Sequence, residues 1–372
     1  MLIGLICAVA LAWLIQSLAY RKSWDRGLEV KTAFADSWAY EGETGSLREE
    51  VVNDKWLPLP ALEVRLAVSR GLVFEGEARE NSSVTDQSYR RDIFSLLPRQ
   101  KVVRTLDFRC RRRGYYRITR AEVVGRDLFY GQEYYREWKQ ETGFYVYPGR
   151  VDIRRIRFLY QAVSGMILSK SRLYPDPFAF SGIREYAPSD PMNRINWKAS
   201  AKSQSLMVNQ LDSTTSIRAS LFLDVEDSGI WKHESLTEEG IRVAASLAEW
   251  MVKNGMELEL WSNGKSVCEG ERCRELRMHL KAGGGSLGEL NRRLSCLETG
   301  AGLRRIEELL WEEGAPAAEC LYIVISKERP KAALGGRRIL WIMLCDPGEE
   351  ESEEEAGRGL PGIWTVCWRA QS

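Results

Sequence analysis

Hydrophobic and polar positions along this chain change rhythm three times. From Met1 to Tyr20 no side chain is charged and Leu2–Leu14 is almost wholly apolar; the stretch ends at Arg21-Lys22, with Arg26 close behind. About 20 apolar residues is the length a helix needs to cross the hydrocarbon core, so residues 1–20 are predicted to be a transmembrane helix. A cleaved signal peptide carries its positive charge before the apolar core and small residues after it, the reverse of this order. Basic residues that come after the span place the remainder in the cytoplasm by the positive-inside rule. The expectation is a single-pass protein of the cell membrane that meets lipid through residues 1–20. The alternative is a buried helix of a soluble protein. Trp13, Tyr20 and Trp24 suit an interfacial anchor, although Trp13 sits rather deep in the span.

Between residues 28 and 150 the period is two. Leu62-Glu63-Val64-Arg65-Leu66-Ala67-Val68 alternates, as does Leu106-Asp107-Phe108-Arg109-Cys110, followed by Gly114-Tyr115 and Tyr116-Arg117-Ile118-Thr119. Short alternating strands between turn residues predict an all-β, sandwich-like module. It ends at Phe144-Tyr145-Val146-Tyr147-Pro148-Gly149, and Asn81–Gln87 reads as an exposed loop. Residues 151–215 read as a linker.

From residue 216 to 372 continuous apolar runs alternate with helical spacing. Ala219–Val225, Met256–Trp261, Leu321–Ile325, Ile339–Leu344 and Ile363–Trp368 are the runs; Leu236–Lys253, Leu287–Leu297 and Leu303–Trp311 are the helical stretches. Strands apolar on both faces, separated by amphipathic helices, predict a doubly wound α/β domain around a parallel sheet. Six glutamates between Glu349 and Glu355 read as a solvated loop.

Composition narrows the chemistry. Lys plus Arg number 53 against 52 for Asp plus Glu, so global charge gives no reason to expect nucleic acid. Two histidines, His233 and His279, exclude a His-rich metal site, and no two of the eight cysteines have C-x-x-C spacing. The cysteines are expected to be reduced, mostly buried thiols in a reducing compartment. Arg99, Lys101, Arg104, Arg109, Arg111, Arg112, Arg113, Arg117 and Arg120 fall in a stretch with one acid, Asp107. They read as a solvated hairpin edge or as a surface for anionic head groups.

Between the two modules runs Phe180-Ser181-Gly182-Ile183-Arg184-Glu185-Tyr186-Ala187-Pro188-Ser189-Asp190-Pro191. It continues through Ile195-Asn196-Trp197-Lys198-Ala199-Ser200-Ala201 to Leu206-Met207-Val208-Asn209-Gln210. This resembles the signature of the domain-of-unknown-function 58 family, an R-x-Y-x-P-G-D-x segment leading into I-x-W-K-x-S-A; Ser189 stands where the family usually has Gly. The layout is similar as well, although many members carry two membrane spans. The resemblance implies that residues 216–372 form a von Willebrand factor A-like domain that acts in protein interaction. It also implies association with MoxR-type AAA+ ATPases and transglutaminase-like membrane proteins. Arg184, Asp190, Arg194, Trp197 and Lys198 are the candidate partner-binding residues. The competing structural role has Asp190 pairing with Arg184 or Arg194 while Trp197 packs into the A-like core.

A-like domains that bind Mg²⁺ use an Asp-x-Ser-x-Ser loop after their first strand. Here the loop is Asp224-Val225-Glu226-Asp227-Ser228, with Glu226 in place of the middle Ser and Ser326-Lys327 where a further Asp would help. Asp224, Glu226 and Ser228 are the candidate metal ligands, but a neighbouring Lys competes with an ion and hard cations want several oxygens. No cofactor is therefore expected. No His lies near enough to activate a nucleophile. The expected function is a non-enzymatic scaffold that binds a protein through its A-like domain; the rival is a metal-dependent binding protein or hydrolase using the Asp224 loop.

Overall fold

The computed structural model describes residues 2–74, 87–152, 154–155, 180–187, 195–203, 205–211, 218–227, 233–266, 274–300, 302–313, 320–330, 337, 339–346 and 362–370. The chain divides into two compact units. One comprises Met1–Arg150, Ser266–Cys273 and Asn291–Leu297; the other comprises Val151–Lys265, Arg274–Leu290 and Glu298–Ser372.

The first unit begins with α1, Leu2–Ser23. The helix runs three residues past the expected end and takes in Arg21 and Lys22, because a helix interior is compatible with Lys and Arg and those cations suit its C-terminal dipole. It is long and apolar enough to cross a membrane. Its last turns fold back into the unit: Tyr20 is buried and donates its hydroxyl to the Pro58 carbonyl at 2.7 Å. Trp24 is buried too, stacking on Tyr134 and meeting Trp138 edge-on. A side chain at Gly125 would come within 2.6 Å of the Trp24 ring, so only glycine lets the indole lie flat there.

Nine strands come next: β1 Leu28–Phe34, β2 Trp38–Tyr40, β3 Thr44–Asn53, β4 Leu59–Ser69, β5 Leu72–Phe74, β6 Gln87–Leu96, β7 Gln100–Cys110, β8 Gly114–Arg126 and β9 Glu133–Tyr147. They form two sheets, ordered β1-β3-β7-β5 and β2-β9-β8-β4-β6. Pairing is antiparallel except for β2 beside β9. Alternation delivers Leu47, Val51 and Phe108 from one sheet and Val64, Leu66 and Phe144 from the other into one core. Phe34, Phe74, Phe108 and Phe144 meet there with ring centres 5.1–5.7 Å apart, in the range of favourable aromatic pairs. Residues 81–86 of the expected loop lie outside the described residues; Gln87 opens β6.

The second unit carries β10 Phe180–Glu185, α2 Trp197–Ser203 and β11 Met207–Leu211, all within the stretch read as a linker. Its main sheet has six strands: β12 Arg218–Leu223, β13 Glu257–Ser266, β14 Arg274–Leu280, β15 Cys320–Ser326, β16 Ile339–Cys345 and β17 Ile363–Arg369. Their order is β14-β13-β12-β15-β16-β17. The β12–β13, β12–β15, β15–β16 and β16–β17 pairs are all parallel. The alternating residues Arg274–Leu280 were not expected as a strand. The second unit's helices are α3 Glu234–Lys253 and α5 Ile306–Glu312, while α4 Leu287–Ser295 begins in this unit and from Asn291 onward belongs to the first. Ile306, Leu309 and Leu310 of α5 pack on Phe222, Tyr322, Val324 and Trp341. On α3, a side chain at Gly240 would strike Leu344 at 2.8 Å and lie near Ile325 and Leu223, which point to the other face of the same strands. Both faces of the central strands are therefore covered, and every residue of β16 is buried. The glutamate-rich loop lies outside the described residues.

The expectation for the cysteines changes. Cys345 and Cys367 form a disulfide between β16 and β17; Cys7, Cys110, Cys296 and Cys320 are free. The sequence could not show this, because only the strand register brings the two Cα atoms to 6.3 Å. The basic stretch is mostly exposed, as a solvated hairpin edge is: Arg99, Lys101, Arg109, Arg111, Arg112, Arg117 and Arg120 face solvent. Lys101 pairs with Glu50, Arg104 with Asp92, and buried Arg113 donates to the carbonyls of Leu294, Ser295 and Leu297.

Glu49 points into the first unit's core and is 1% exposed, with neither carboxylate oxygen hydrogen-bonded. Burial, reinforced by the Asp92 carboxylate, pushes it up to about 7; Arg90 and Arg104 act in the opposite direction. A carboxyl whose pKa is raised on folding contributes stability below its unfolded value near 4.5, and that contribution is lost as pH rises through about 7. We expect the thermal midpoint to fall between about pH 5 and pH 8, and Glu49→Gln to flatten that fall and raise stability at the alkaline end by about 2 kcal/mol. For the disulfide, closing a loop with a sequence separation of 22 predicts that reduction lowers unfolding free energy by about 3 kcal/mol. Chemical denaturation with and without reductant measures it.

Candidate functional site

In an open parallel sheet the natural place for a site is beyond the carboxyl ends of the strands where strand order reverses. Here the chain leaves β12 toward β13 and β14, then returns to the other side as β15. Asp224 comes directly after β12 and Ser326 ends β15, so both stand at this point. Asp224 is buried and its carboxylate is closely held. Asn263 Nδ2 donates to Oδ1 at 2.7 Å, the Glu226 amide to the same oxygen at 3.1 Å, and Ser326 Oγ to Oδ2 at 2.7 Å. Asn263 also accepts from the Val225 amide and donates to the Arg304 carbonyl. Next to this set, Lys327 pairs with Asp227 at 3.2 Å and donates to Thr237 Oγ1 at 2.8 Å.

The described part of the donor set favours hydrogen bonding over a divalent cation. A hard cation needs the lone pairs of carboxylate and hydroxyl oxygens, whereas both Asp224 oxygens already accept from N–H or O–H groups. The Lys327 ammonium supplies the positive charge that Asp227 and Thr237 face. No group of three or more His, Cys, Asp or Glu positioned for a metal occurs among the described residues. Glu226 contributes its backbone amide, and Ser228 lies outside the described residues. Asn263 and Thr237 were not singled out from the sequence. The one legible signal was an Asn interrupting the alternating strand Glu257–Ser266. The Ser326 hydroxyl donates to a carboxylate with no imidazole between them, so the arrangement orders the strand ends and offers no activated nucleophile.

The signature segment is the second candidate. β10 and β11 pair antiparallel, with Arg184 opposite Val208, and α2 lies between them in the chain. The short motif divides cleanly. Ile195 is buried and bridges Val208. Asn196 caps α2, its Oδ1 accepting from the Ala199 amide at 3.0 Å, as Asn does at helix starts. The Asn196 amide donates to the Met207 carbonyl, and Ser200 Oγ accepts from the Met207 amide, each at 2.8 Å. These three residues hold the ribbon. Trp197 is 67% exposed and Lys198 and Lys202 are exposed, on a helix with no buried residue. Trp197 therefore does not pack into a core, because the positions flanking it, Ile195 and Asn196, take the inward and capping roles. Asp190 and Arg194 lie outside the described residues.

We expect Asp224→Ala, which strands the Asn263 and Ser326 donors in a buried site, to lower stability by about 2–3 kcal/mol. Adding Mg²⁺ at about millimolar concentration should leave the wild-type melting temperature unchanged, since a ligand binding only the native state would raise it. A clear upward shift would mean that an ion displaces the ammonium.

No curated protein matches the chain. Among solved structures, the CARDB domain of the PF1109 protein from Pyrococcus furiosus is 16% identical, covering 32% of this chain and 91% of that chain at a TM-score of 0.20. The bacterial hydrophobin BslA is 14% identical, covering 34% and 97% at 0.21. Spo0M, a sporulation control protein from Bacillus subtilis, is 10% identical, covering 43% and 58% at 0.19. At such scores these likenesses carry no argument. Residues 182–282, which run from the signature ribbon through β14, match the family model described as Protein of unknown function DUF58.

Proposed function

We propose that this chain is a membrane-anchored, non-enzymatic scaffold of the DUF58 family, with a von Willebrand factor A-like second unit that binds a protein partner through the exposed face of α2. The observation that carries this reading is Trp197. A large aromatic side chain, 67% exposed, stands on a helix clamped by Asn196 and Ser200. Exposed Trp on a rigid element is the residue type that dominates binding at interfaces, and Lys198 and Lys202 beside it favour an acidic partner surface. A AAA+ ATPase of the MoxR type is the partner the family resemblance suggests. The A-like reading of the sheet draws on its parallel strand order and on Asp224 at the switch point. No observation favours the metal-dependent or hydrolytic alternative, since the Asp224 oxygens are engaged by donors.

The anchor is α1, and Arg21, Lys22 and Arg26 favour a cytoplasmic location for the second unit by the positive-inside rule. The Cys345–Cys367 disulfide weighs the other way, as such bonds are rare in the cytoplasm. We give precedence to the basic residues because loop charge near the span sets orientation, whereas the disulfide depends on strands made far later in the chain.

The test is partner capture from native membranes by the full-length chain. Trp197→Ala should weaken binding by about 2 kcal/mol, roughly thirty-fold, and Lys198→Glu should weaken it further while the melting temperature stays within a degree or so. Unchanged capture with both variants would leave α2 without a binding role.

A further inference from the structure

We propose that the end of the first unit from which α1 emerges is a lipid-contacting rim, led by the β8–β9 turn Leu128-Phe129-Tyr130, which sits in the membrane interface beside the helix. This rests on reading α1 as a membrane span.

The turn itself is unusual. The Tyr130 amide closes onto the Asp127 carbonyl at 3.1 Å, and the Gly131 amide onto Asp127 Oδ1 at 2.7 Å. Asp is ordinary at the first position of such a turn, but the central positions of turns are dominated by Gly, Pro, Asn, Asp and Ser. Here they are Leu and Phe. Leu128 is 48% exposed, Phe129 64% and Tyr130 57%, and Tyr130 takes the left-handed φ of 56° that bulky residues avoid. In water this tip would leave three large side chains exposed on one turn.

Its position supplies an apolar surrounding. Asp127 is fully buried, and its Oδ2 accepts from Gln16 Nε2 of α1 at 3.0 Å. The Tyr134 hydroxyl reaches the Ser17 carbonyl, and Trp13 Nε1 lies 3.8 Å from where a Gly131 side chain would begin. The tip is thus pinned at the level of Trp13 to Ser17. The first charged residue of the helix is Arg21, which at 1.5 Å per residue places the attachment about 6–12 Å to the apolar side of the charge boundary. Trp13, deep by sequence position, is at the depth of this turn.

Two neighbouring turns repeat the pattern. The β3–β4 turn presents Trp56, 77% exposed, and the β6–β7 turn presents Leu97, 66% exposed. They lie at the same end, because Asn53 Nδ2 donates to both the Leu57 and Leu97 carbonyls, and Tyr20 of α1 donates to Pro58. The Arg99 guanidinium stands 5.2 Å over the Trp56 ring. Aromatic and apolar side chains mixed with cations are the composition of an interfacial belt. Trp13, Gln16, Ser17 and Tyr20 of α1 meet these turns and the strands beside them, so the solvent around that length of the helix also surrounds the turns. That solvent is lipid.

The test places a photoreactive side chain in the full-length protein in vesicles of phosphatidylcholine with phosphatidylglycerol. Phe129→p-benzoylphenylalanine and Trp56→p-benzoylphenylalanine probe the rim; the same change at Val9 probes the span. Val73, on β5 beside Arg109 at the far end of β7, is the aqueous control. After irradiation, lipid adducts by intact mass should appear at Val9, Phe129 and Trp56, with yields at least about ten-fold above Val73, because interfacial side chains meet acyl chains. Adducts at Val9 but at neither rim position would overturn the rim and leave the span standing. Absence at all three would overturn both. Cross-links from Phe129 to a second copy of the chain in place of lipid would overturn the proposal in favour of self-association.

Discussion

The joint between α1 and the β-sandwich is the constraint that organises the first unit. An apolar helix attached by a flexible tether would leave the depth and facing of the sandwich undefined. Here the last turns of the helix are part of the sandwich core. Tyr20 and Trp24 are buried, and Trp24 lies on Gly125, where no side chain intrudes. Burial of two large aromatics contributes several kcal/mol. That is enough to fix the helix axis against β8 and β9. The turns near the joint then take a defined depth relative to Arg21, and their apolar tips acquire a physical meaning that exposure alone would not give them.

The second unit shows a different economy of charge. At the switch point of its sheet, where open α/β folds gather their ligands, the polar groups satisfy one another. Asp224 is surrounded by donors, and Lys327 brings the positive charge that Asp227 faces. A network whose described members engage one another fixes strand ends firmly. The signature lies elsewhere: its inward residues hold a ribbon, and its outward residues on α2 reach solvent.

Charge is treated unequally in the first unit. Arg90 and Arg104 both serve Asp92, while Glu49 nearby has neither oxygen hydrogen-bonded. Carboxylates are stable in cores when donors reach them and prefer to be protonated when none do. Most of the cationic run of β7 and β8 faces solvent, while Arg104 serves Asp92 and Arg113 serves backbone carbonyls.

Much of the architecture could be read directly from the chain. Period-two alternation in Leu62–Val68 and Leu106–Cys110, uninterrupted apolar runs in Leu321–Ile325 and Ile339–Leu344, and the charge-free stretch before Arg21 are local patterns. Each reports the solvent on either side of its own element. Asp224 at the end of β12 was legible for the same reason. What required the tertiary structure were the facts that join distant positions. Asn263 and Ser326 converge on Asp224 across 39 and 102 residues, Cys345 meets Cys367 through strand register, and Gln16 finds Asp127 across 111 residues. Whether Trp197 turned inward or outward was likewise undecided in the sequence, because a seven-residue helix has too few turns to show a face. Periodicity encodes which side of an element is apolar; the fold alone decides what that side meets.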